Sequence, residues 1–450
     1  MPEPIGICAV GFNVLAKSLK KCNMQTMKQY AQLNKDELNA LKNELDKAFS
    51  GHKEKGKKLN MTRGVPSDEQ LSLCNNMLTC LSTEDYIAGG VDCRNYGGID
   101  GIPEIKKMFA DLLELTPEEV IVGGNSSLAL MFDNVSVNVS HGVRDGKPWQ
   151  SQGQVKFICP SPGYDRHFTI CSYFHIEMIP VEMKDDGPDM DAVEKLVSSD
   201  PMIKGIWCVP KFSNPTGIVY SEETVKRFAK LKPAADDFRI YWDNAYAFHD
   251  LGDSKTKIPN IIRLCEEAGN PNMVYLFASF SKVSFAGASV TCMASSKSNC
   301  EYIRKRLSVQ TIGPDKLNQL RHVRFFKDAA GVMAHMEKHA AILRPKFKLV
   351  ADTLKGELGD LGIAEWANPK GGYFISFNSL DGCAKRIVAL CAEAGVALTP
   401  AGATFPNGND PRDRNIRIAP TCPPLFELGE ALEIFCVAVK LASVEKFLKA

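Results

Sequence analysis

Short apolar runs alternate with longer amphipathic stretches through the middle of the chain, from about residue 120 to residue 293. Runs such as residues 205–209 and 238–242 have the length of strands, and they are apolar enough to be buried on both faces of a sheet. The stretches between these runs have the length of helices. This order predicts an α/β fold with a mainly parallel sheet and helices on both of its faces.

The two ends of the chain predict a second, smaller α+β domain. Residues 35–49 form an amphipathic helical pattern, and a predicted helix at residues 340–358 precedes a predicted strand at residues 372–378. Residues 414–420 alternate polar and apolar positions as an edge strand does, which places Arg417 on one face. The predicted division is an N-terminal arm with part of the small domain at residues 1–80, a large domain at residues 81–325, and a C-terminal small domain at residues 326–450.

Charge and hydropathy exclude several classes of function. A formal net charge of +1 over 450 residues does not predict binding to nucleic acid. No apolar run approaches the roughly 20 residues that a membrane-spanning helix needs, so we expect a soluble protein. Residues 5–16 are apolar, but they follow Glu3 and lack a basic segment ahead of them, so they are predicted to be an arm or an early helix.

The cysteine pattern indicates a reduced protein. The chain has 15 cysteines, and several lie within apolar runs where reduced thiols behave as small hydrophobic groups, among them Cys159, Cys208, Cys292 and Cys436. No Cys-x-x-Cys pair occurs. The pattern therefore predicts neither a secreted disulfide framework nor a metal site, and we expect a cytoplasmic location.

Lys282 is the first candidate for chemistry. It follows an apolar run within residues 278–287, which read ASFSKVSFAG. An amine at such a strand end can form a Schiff base with an aldehyde cofactor, which suggests pyridoxal phosphate (PLP). A lysine alone is weak evidence because most lysines are solvated charges, but two segments upstream favour the cofactor.

Asp243 closes the apolar run at residues 238–242 and is predicted to lie at the carboxyl edge of the sheet, where open α/β folds bind ligands. An ionised aspartate beside the PLP ring nitrogen favours the protonated ring, which the cofactor needs as an electron sink. Tyr246 and Asn214 could each donate a hydrogen bond to the phenolic oxygen of the cofactor. Read alone, Asp243 could also be a cap residue, and Asn214 a turn residue.

Three motifs occur in a fixed order, each after an apolar strand: Asn-Pro-Thr-Gly at residues 214–217, Asp-x-Ala-Tyr at residues 243–246 and Ser-x-Ser-Lys at residues 279–282. This set resembles the fold-type I aminotransferases of the aspartate aminotransferase superfamily. The resemblance extends from about residue 59 to residue 424. It implies a seven-stranded type of sheet, and PLP held on Lys282 with Asp243 and Tyr246 as catalytic partners.

The resemblance also implies a reaction and its substrates. Fold-type I aminotransferases move an amino group between an L-amino acid and a 2-oxo acid, and the first choice here is aspartate with 2-oxoglutarate. Donors such as alanine, an aromatic amino acid or 2-aminoadipate stay open.

Residues 122–128 form a strand-to-helix turn whose backbone N–H groups can hold a phosphate at the positive end of a helix. By resemblance, Gly124, Asn125 and Ser126 are the phosphate ligands. The family's arginine a few residues after the Schiff-base lysine is absent from residues 283–290. The resemblance therefore leaves the phosphate with less formal charge, held by hydroxyl groups from the set Ser279, Ser281 and Ser289.

Two tyrosines match further segments of the family. Tyr164, within residues 159–167, takes the place of the aromatic ring that stacks on the pyridine of the cofactor. Its neighbours Arg166 and His167 are interpreted as polar support. Tyr96 matches the tyrosine that reaches the cofactor phosphate of the neighbouring subunit, which implies a homodimer.

The resemblance assigns the substrate α-carboxylate to Arg417, because a planar guanidinium binds a carboxylate through two parallel hydrogen bonds. Gly64 could present its backbone N–H to the same carboxylate, and Asn214 belongs to the same substrate set. An acidic donor needs a second cation for its side-chain carboxylate. The sequence offers four candidates for this cation without selecting among them: Arg94, Lys316, Arg321 and Arg324.

A second hypothesis is a PLP-binding sensor without turnover. The chain resembles the MocR-like aspartate aminotransferase subgroup in the absence of the family's arginine after the Schiff-base lysine and in the segments at residues 62–67 and 310–316. MocR proteins proper are transcriptional regulators. Such a regulator carries a separate basic helix-turn-helix, and none is visible before residue 59. A third hypothesis keeps PLP but changes the reaction to β-elimination or decarboxylation, and only substrate chemistry separates it from amino transfer.

Overall fold

The computed structural model describes residues 29–449, and the prediction for residues 5–16 lies outside them. The strands in this part of the chain are β1 Leu59–Asn60, β2 Ile87–Ala88, β3 Val91–Asp92, β4 Val120–Val122, β5 Lys156–Ser161, β6 Glu177–Lys184, β7 Gly187–Pro188, β8 Ile203–Cys208, β9 Arg239–Asp243, β10 Val274–Ser279, β11 Thr291–Ala294, β12 Ala364–Trp366, β13 Ile375–Ser379, β14 Val396–Ala397 and β15 Asn415–Ile418. No described helix is long and apolar enough to cross a membrane.

The α-helices among the described residues precede and follow these strands. They are α1 Lys35–Glu54, α2 Asp68–Ser72, α3 Pro103–Leu113, α4 Ser127–His141, α5 Asp165–Tyr173, α6 Met190–Ser199, α7 Glu222–Ala229, α8 Ile261–Glu267, α9 Lys297–Gln310, α10 Lys316–Phe326, α11 Ala329–Leu358, α12 Ala384–Glu393 and α13 Leu425–Lys449.

The main sheet has eight strands in the order β4-β11-β10-β9-β8-β5-β6-β7. The five strands from β10 to β6 in this order run parallel, whereas β11 runs antiparallel to both of its neighbours and β7 antiparallel to β6. The predicted mainly parallel α/β fold is therefore confirmed. The sheet has one strand more than the predicted seven, because the two residues of β7 fold back on the end of β6.

The apolar pattern of the central strands explains why the sheet is buried on both faces. Every residue of β8, β9 and β10 is buried. Ile206 and Trp242 pack into the core on one face of the sheet, whereas their neighbours Trp207 and Tyr241 pack into the core on the other face. Continuous apolar runs suit such strands, because successive side chains point to opposite faces and both faces carry helices.

A second hydrophobic core forms where the first described helix and strand pack against the C-terminal part of the chain. The strand β1 pairs with β14 in parallel, α1 packs against α13, and β12, β13 and β15 form a three-stranded sheet beside them. The long helix α11 joins the two cores, because Val332 and Met336 pack in the large core and residues from Ala340 onward pack in the second. The domain limits at residues 80 and 325 stay a prediction.

Two predicted elements of the second core differ in length from the observed ones. The predicted helix at residues 340–358 begins at Ala329, because the Asp328 side chain caps it by accepting from the Gly331 N–H at 2.8 Å. The predicted strand at residues 372–378 is Ile375–Ser379. The Arg417 strand lies at the edge of its sheet as predicted, but all four of its residues are buried.

The stability of the fold is expected to fall as the pH drops from about 6.5 towards 4. Burial lowers the pKa of His322 to about 4, while its Nδ1 and Nε2 lie 2.8 Å from the Asn318 carbonyl oxygen and from Ser284 Oγ. The folded chain then binds fewer protons than the unfolded chain in this window, so acid favours unfolding. Urea unfolding at pH 7.5 and pH 5.5 should show a smaller difference in H322Q than in the wild type.

The exposed His141 provides the control for this measurement. H141Q should keep the pH dependence of the wild type. An H322Q variant with the full wild-type dependence would show that His322 does not contribute to it.

Candidate active site

The strand order brings most of the predicted cofactor-binding residues to one edge of the main sheet. The strands β4, β5, β8, β9 and β10 point the same way and end at residues 122, 161, 208, 243 and 279. The segments that carry the candidate residues follow directly after these ends. Such an edge is where open α/β sheets bind ligands.

A cavity of about 670 Å³ lies at this edge. Seven of the predicted site residues line it together: Gly64, Tyr164, Asn214, Asp243, Tyr246, Lys282 and Arg417. These residues come from six separate segments of the chain, so the tertiary structure assembles them from positions far apart in sequence.

The amine of Lys282 is buried beside two tyrosine rings. Its Nζ lies 5.0 Å from the ring centroid of Tyr246 and 5.9 Å from that of Tyr373. Burial lowers the pKa of the Lys282 ammonium, and the negative charge of Asp243 opposes this shift. The Lys282 carbonyl oxygen lies 3.2 Å from Nε2 of His249, which holds the backbone next to the amine. The site therefore favours a neutral, nucleophilic amine.

One carboxylate oxygen of Asp243 contacts a histidine, whereas the other has no hydrogen-bond partner among the described residues. Its Oδ2 lies 3.0 Å from His167 Nε2, and the His167 ring stacks on Trp207 with ring centroids 4.4 Å apart. Its Oδ1 is buried and accepts no hydrogen bond from the described residues. A buried carboxylate oxygen without a donor is costly, so it needs a cationic or N–H group in the cavity. A protonated pyridine nitrogen fits this requirement.

Two tyrosines at the cavity are neutral phenols. Burial, followed by the nearby negative charge of Asp243, raises the pKa of Tyr164. Burial also raises the pKa of Tyr246 well above its usual value, and its ring stacks on Tyr373 with centroids 6.0 Å apart. Both hydroxyl groups thus stay protonated and can donate hydrogen bonds.

The predicted phosphate loop lies between β4 and α4. Ser126 caps α4 by accepting from the Ala129 N–H at 3.3 Å, and the Gly124 carbonyl oxygen accepts from Thr291 N and Thr291 Oγ1 at 3.0 Å each. The Asn125 amide donates to the Gly287 carbonyl oxygen at 2.9 Å. The cavity wall itself is formed one residue further on, by Ser127 and Leu128.

The three serines proposed for the phosphate lie at the end of β10 and after it: Ser279 is the last residue of the strand, and Ser281 and Ser289 lie in the segment that joins it to β11. The Ser279 Oγ accepts from the Ser281 N–H at 3.4 Å. The side chain of Ser289 is buried, and its hydroxyl donates to the Val290 carbonyl oxygen at 3.2 Å.

Arg417 is held by three side chains, and its Nε–H has no partner among the described residues. Its Nη1 donates to Asp165 Oδ1 at 2.8 Å and to Asn214 Oδ1 at 3.2 Å, and its Nη2 donates to Thr399 Oγ1 at 3.3 Å. Its Nε is buried without a partner among the described residues. Since Asn214 accepts through Oδ1, its Nδ2 group is left to donate into the cavity.

Gly64 packs on the ring that supports Arg417. The guanidinium of Arg417 lies 4.9 Å from the ring centroid of Phe374, and a Cβ added at Gly64 would overlap the same ring. The segment around Gly64 is tied to the site by Thr399, whose Oγ1 donates to the Thr62 carbonyl oxygen at 3.0 Å.

Substitution G64A should therefore displace the Phe374 ring together with the Arg417 guanidinium. We expect a loss of about 1–3 kcal/mol of stability from overpacking and a higher KM for any carboxylate substrate. Steady-state kinetics and urea unfolding measure the two effects. The control variant G356A adds a Cβ at a glycine inside α11 whose Cβ position is open, so it should leave KM unchanged and make the protein equally or more stable.

Sequence reasoning missed several residues that the structure brings to the site. Asp165 and Thr399 hold Arg417, and Gln70 Nε2 donates to the Tyr373 hydroxyl at 2.9 Å beside Lys282. The predicted supporting residue His167 does contact Asp243. Asp165 was detectable as the neighbour of Tyr164, but its pairing with a residue 252 positions away has no local signal.

Tyr96 lies apart from the cavity of its own chain. Its side chain is 81% exposed, and Lys316 Nζ holds its loop by donating to the carbonyl oxygens of Asn95 and Gly97 at 2.6 and 2.8 Å. A role in a site is therefore open to this residue only in a neighbouring subunit.

The fold and the cavity define a protein of the pyridoxal phosphate-dependent transferase class. The profile of the aspartate amino-transferase family matches residues 33–450. The chain belongs to this family and is therefore an aminotransferase. The assignment to the MocR-like subgroup stays a prediction.

Individual relatives agree with this family. An aspartate aminotransferase of Corynebacterium glutamicum is 46% identical over 90% of this chain and 94% of its own length. A candidate aminotransferase of Mycolicibacterium smegmatis is 47% identical over 93% of this chain and 99% of its own length. The crystal structure of an aspartate transaminase from C. glutamicum is 44% identical, with a TM-score of 0.91 over 94% of this chain and all of that chain.

Proposed function

We propose that this chain is a PLP-dependent aspartate transaminase that passes the amino group of L-aspartate to 2-oxoglutarate. The observation that carries the proposal is the pair formed by the buried Lys282 amine and the partnerless Oδ1 of Asp243 in one cavity with Arg417. The choice of aspartate rests on the relative from C. glutamicum that carries this activity in its name.

Bound PLP would supply an aldehyde for a Schiff base with Lys282 and a ring that accepts electrons from the substrate. Asp243 keeps a proton on the ring nitrogen through its free Oδ1, and His167 holds the other oxygen in place. Tyr164 would offer its ring to the pyridine. The Asn214 Nδ2 group and the Tyr246 hydroxyl would donate to the phenolic oxygen.

Lys282 also moves the proton that amino transfer requires. Because burial lowers its pKa, the Lys282 amine would accept a proton from the substrate Cα at its Nζ and release it again in the course of amino transfer. Arg417 fixes the α-carboxylate with its free Nε, and the Gly64 N–H assists at the same carboxylate. Fixing this end of the substrate presents the Cα–H bond to the amine.

The phosphate is proposed to lie at the N-terminus of α4. Gly124, Asn125 and Ser126 precede this helix, whose first N–H groups and dipole favour an anion. Hydroxyl groups of Ser279 and Ser281 replace the charge that an arginine supplies elsewhere in the family.

An exposed apolar patch supports a homodimer in which Tyr96 completes the neighbouring site. Tyr96 is 81% exposed, and the nearby side chains of Val309 and Ile312 are 87% and 64% exposed. Gly313 lies against the Gly97 carbonyl oxygen, so the two loops are adjacent. Exposed apolar side chains that cluster in this way mark a protein interface.

Mixing two inactive variants tests the shared site. Co-expressed Y96A and K282A subunits should form heterodimers, each with one intact site. In a random mixture of dimers, these intact sites make up about a quarter of all sites. At limiting PLP we expect the mixture to be more active than the Y96A protein alone or the K282A protein alone. Sedimentation should show dimers. A fully active monomer would contradict the proposal.

The visible absorbance of the purified protein tests the proposed function. A yellow protein whose spectrum converts to the pyridoxamine phosphate form on addition of L-aspartate alone would support both the cofactor and the donor. Conversion by L-alanine or an aromatic amino acid but not by aspartate would contradict aspartate as the substrate. A yellow protein that no amino acid converts would favour the sensor hypothesis.

We further propose a cytoplasmic location, in keeping with the buried free cysteines.

A further inference from the structure

The charges around the cavity are unbalanced. Its wall carries the guanidinium groups of Arg63, Arg166 and Arg417 and the amine of Lys282, but only two carboxylates, those of Asp165 and Asp243. Asp165 pairs with Arg417, and Asp243 contacts His167. Two arginines are thus left over.

Arg63 and Arg166 have no bound counter-charge within residues 29–449. Neither guanidinium makes a hydrogen bond or an ion pair there, and both residues are solvent-exposed where they line the cavity. Lone arginines are common on open surfaces, but two of them on the wall of one substrate cavity form a site for an anion. The forked shape of a guanidinium suits a carboxylate.

Both arginines lie next to the groups that hold Arg417. Arg166 follows Asp165, the ion-pair partner of Arg417, in the first turn of α5. Arg63 follows Thr62, whose carbonyl oxygen is bonded by Thr399, which in turn bonds Arg417. The two arginines therefore belong to segments that support Arg417, and they line the same cavity of about 670 Å³.

The four cations proposed from sequence are engaged elsewhere in their own chain. Arg324 and Arg94 form ion pairs with Asp85 and Asp92 at 2.7 and 2.8 Å. Arg321 donates to the Asn318 side chain, and Lys316 donates to two backbone carbonyls. None of the four belongs to the wall of the cavity described here. The prediction that one of them binds the substrate side chain is therefore not supported by the geometry within one chain.

We propose that Arg63 and Arg166 together bind the distal carboxylate of a dicarboxylic amino acid or oxo acid while Arg417 binds its α-carboxylate. This inference rests on the proposed function, and it names the residues that select acidic substrates. The two arginines are specificity residues, because they contact only the end of the substrate that does not react. Their removal should lower the rate with aspartate and leave the basic amino transfer reaction intact.

The ratio of kcat/KM for L-aspartate to kcat/KM for L-alanine tests the proposal. We expect the ratio to fall by about 10-fold in R63Q and in R166Q, and by about 100-fold in R63Q/R166Q, mainly through aspartate. R227Q is the matched control, since Arg227 pairs with Asp191 and Glu194 on the surface and should leave the ratio unchanged.

Binding of two four-carbon acids provides a readout without turnover. Succinate carries a second carboxylate that butyrate lacks, so the ratio of their Kd values by calorimetry reports the distal site alone. The double variant should bind butyrate like the wild type and succinate about 100-fold more weakly than the wild type does.

These measurements distinguish a failure of the proposed function from a failure of the inference about the two arginines. A wild type that transfers no amino group from aspartate overturns the proposed function. If the wild type transfers the amino group of aspartate but the variants keep the wild-type kcat/KM ratio and the wild-type Kd ratio, the inference is overturned. The distal carboxylate is then assigned to a residue of another subunit. A single variant without any effect overturns the joint role of the two arginines.

Discussion

Turnover is expected to fall by at least about 10⁴-fold when Lys282 is replaced by alanine, because the substitution removes both the nucleophile and the group that moves the proton. The other groups proposed for the cofactor stay in place, since Asp243, Tyr164 and the phosphate loop lie on separate segments. K282A should therefore still bind PLP. Steady-state kinetics and equilibrium dialysis with PLP measure the two effects.

Stability measurements separate this result from misfolding. Lys282 is half-buried and makes no ion pair among the described residues, so its removal should leave the unfolding free energy unchanged or higher. K282R offers a matched variant that keeps a positive charge but lacks the primary amine, and we expect it to be equally inactive. A K282A enzyme with normal amino transfer would remove Lys282 from the mechanism.

A second large effect is expected for D243N. The variant keeps the shape of the side chain but loses the charge that holds a proton on the cofactor ring, and we expect kcat to fall by about 10³-fold. The variant H167Q should lose much less activity, because Asp243 keeps its charge and loses only one contact. A D243N enzyme with wild-type kinetics would contradict the role of Asp243.

The same variant should change the titration of Lys282. Burial lowers the pKa of the Lys282 ammonium, and the Asp243 charge raises it, so the pKa in D243N should lie below that in the wild type. Reaction of the cofactor-free amine with an acylating reagent, followed over a range of pH, measures this shift. The amine of D243N should become reactive at lower pH than that of the wild type. An unchanged midpoint would show that the two groups do not interact.

The sequence alone predicted the large sheet and the residues at its carboxyl edge. Its apolar runs have the length of strands, and Asn214, Asp243 and Lys282 each follow such a run, so local pattern is sufficient to place them at strand ends. Parallel strands then bring these ends to one edge without further information. The cavity contains seven of the predicted residues, and two of them, Gly64 and Arg417, lie outside the main sheet and were predicted from the family resemblance.

The sequence erred where local pattern carries little information. The start of α11 depends on the cap formed by Asp328, and the additional strand β7 is only two residues long. Neither feature changes the hydrophobic period that sequence reasoning relies on. Both errors left the main architecture and the site unchanged.

Only the tertiary structure decided which charged groups meet at the cavity. Arg417 pairs with Asp165 and Arg324 pairs with Asp85, although the two members of each pair are distant in the chain. Arg63 and Arg166 have no side-chain partner within residues 29–449. A charge interacts through space with whatever lies within a few ångströms, and its sequence neighbours do not reveal that surrounding. The sequence by itself therefore determined the fold class and predicted residues that line one cavity, whereas the tertiary structure determined which charged groups meet there.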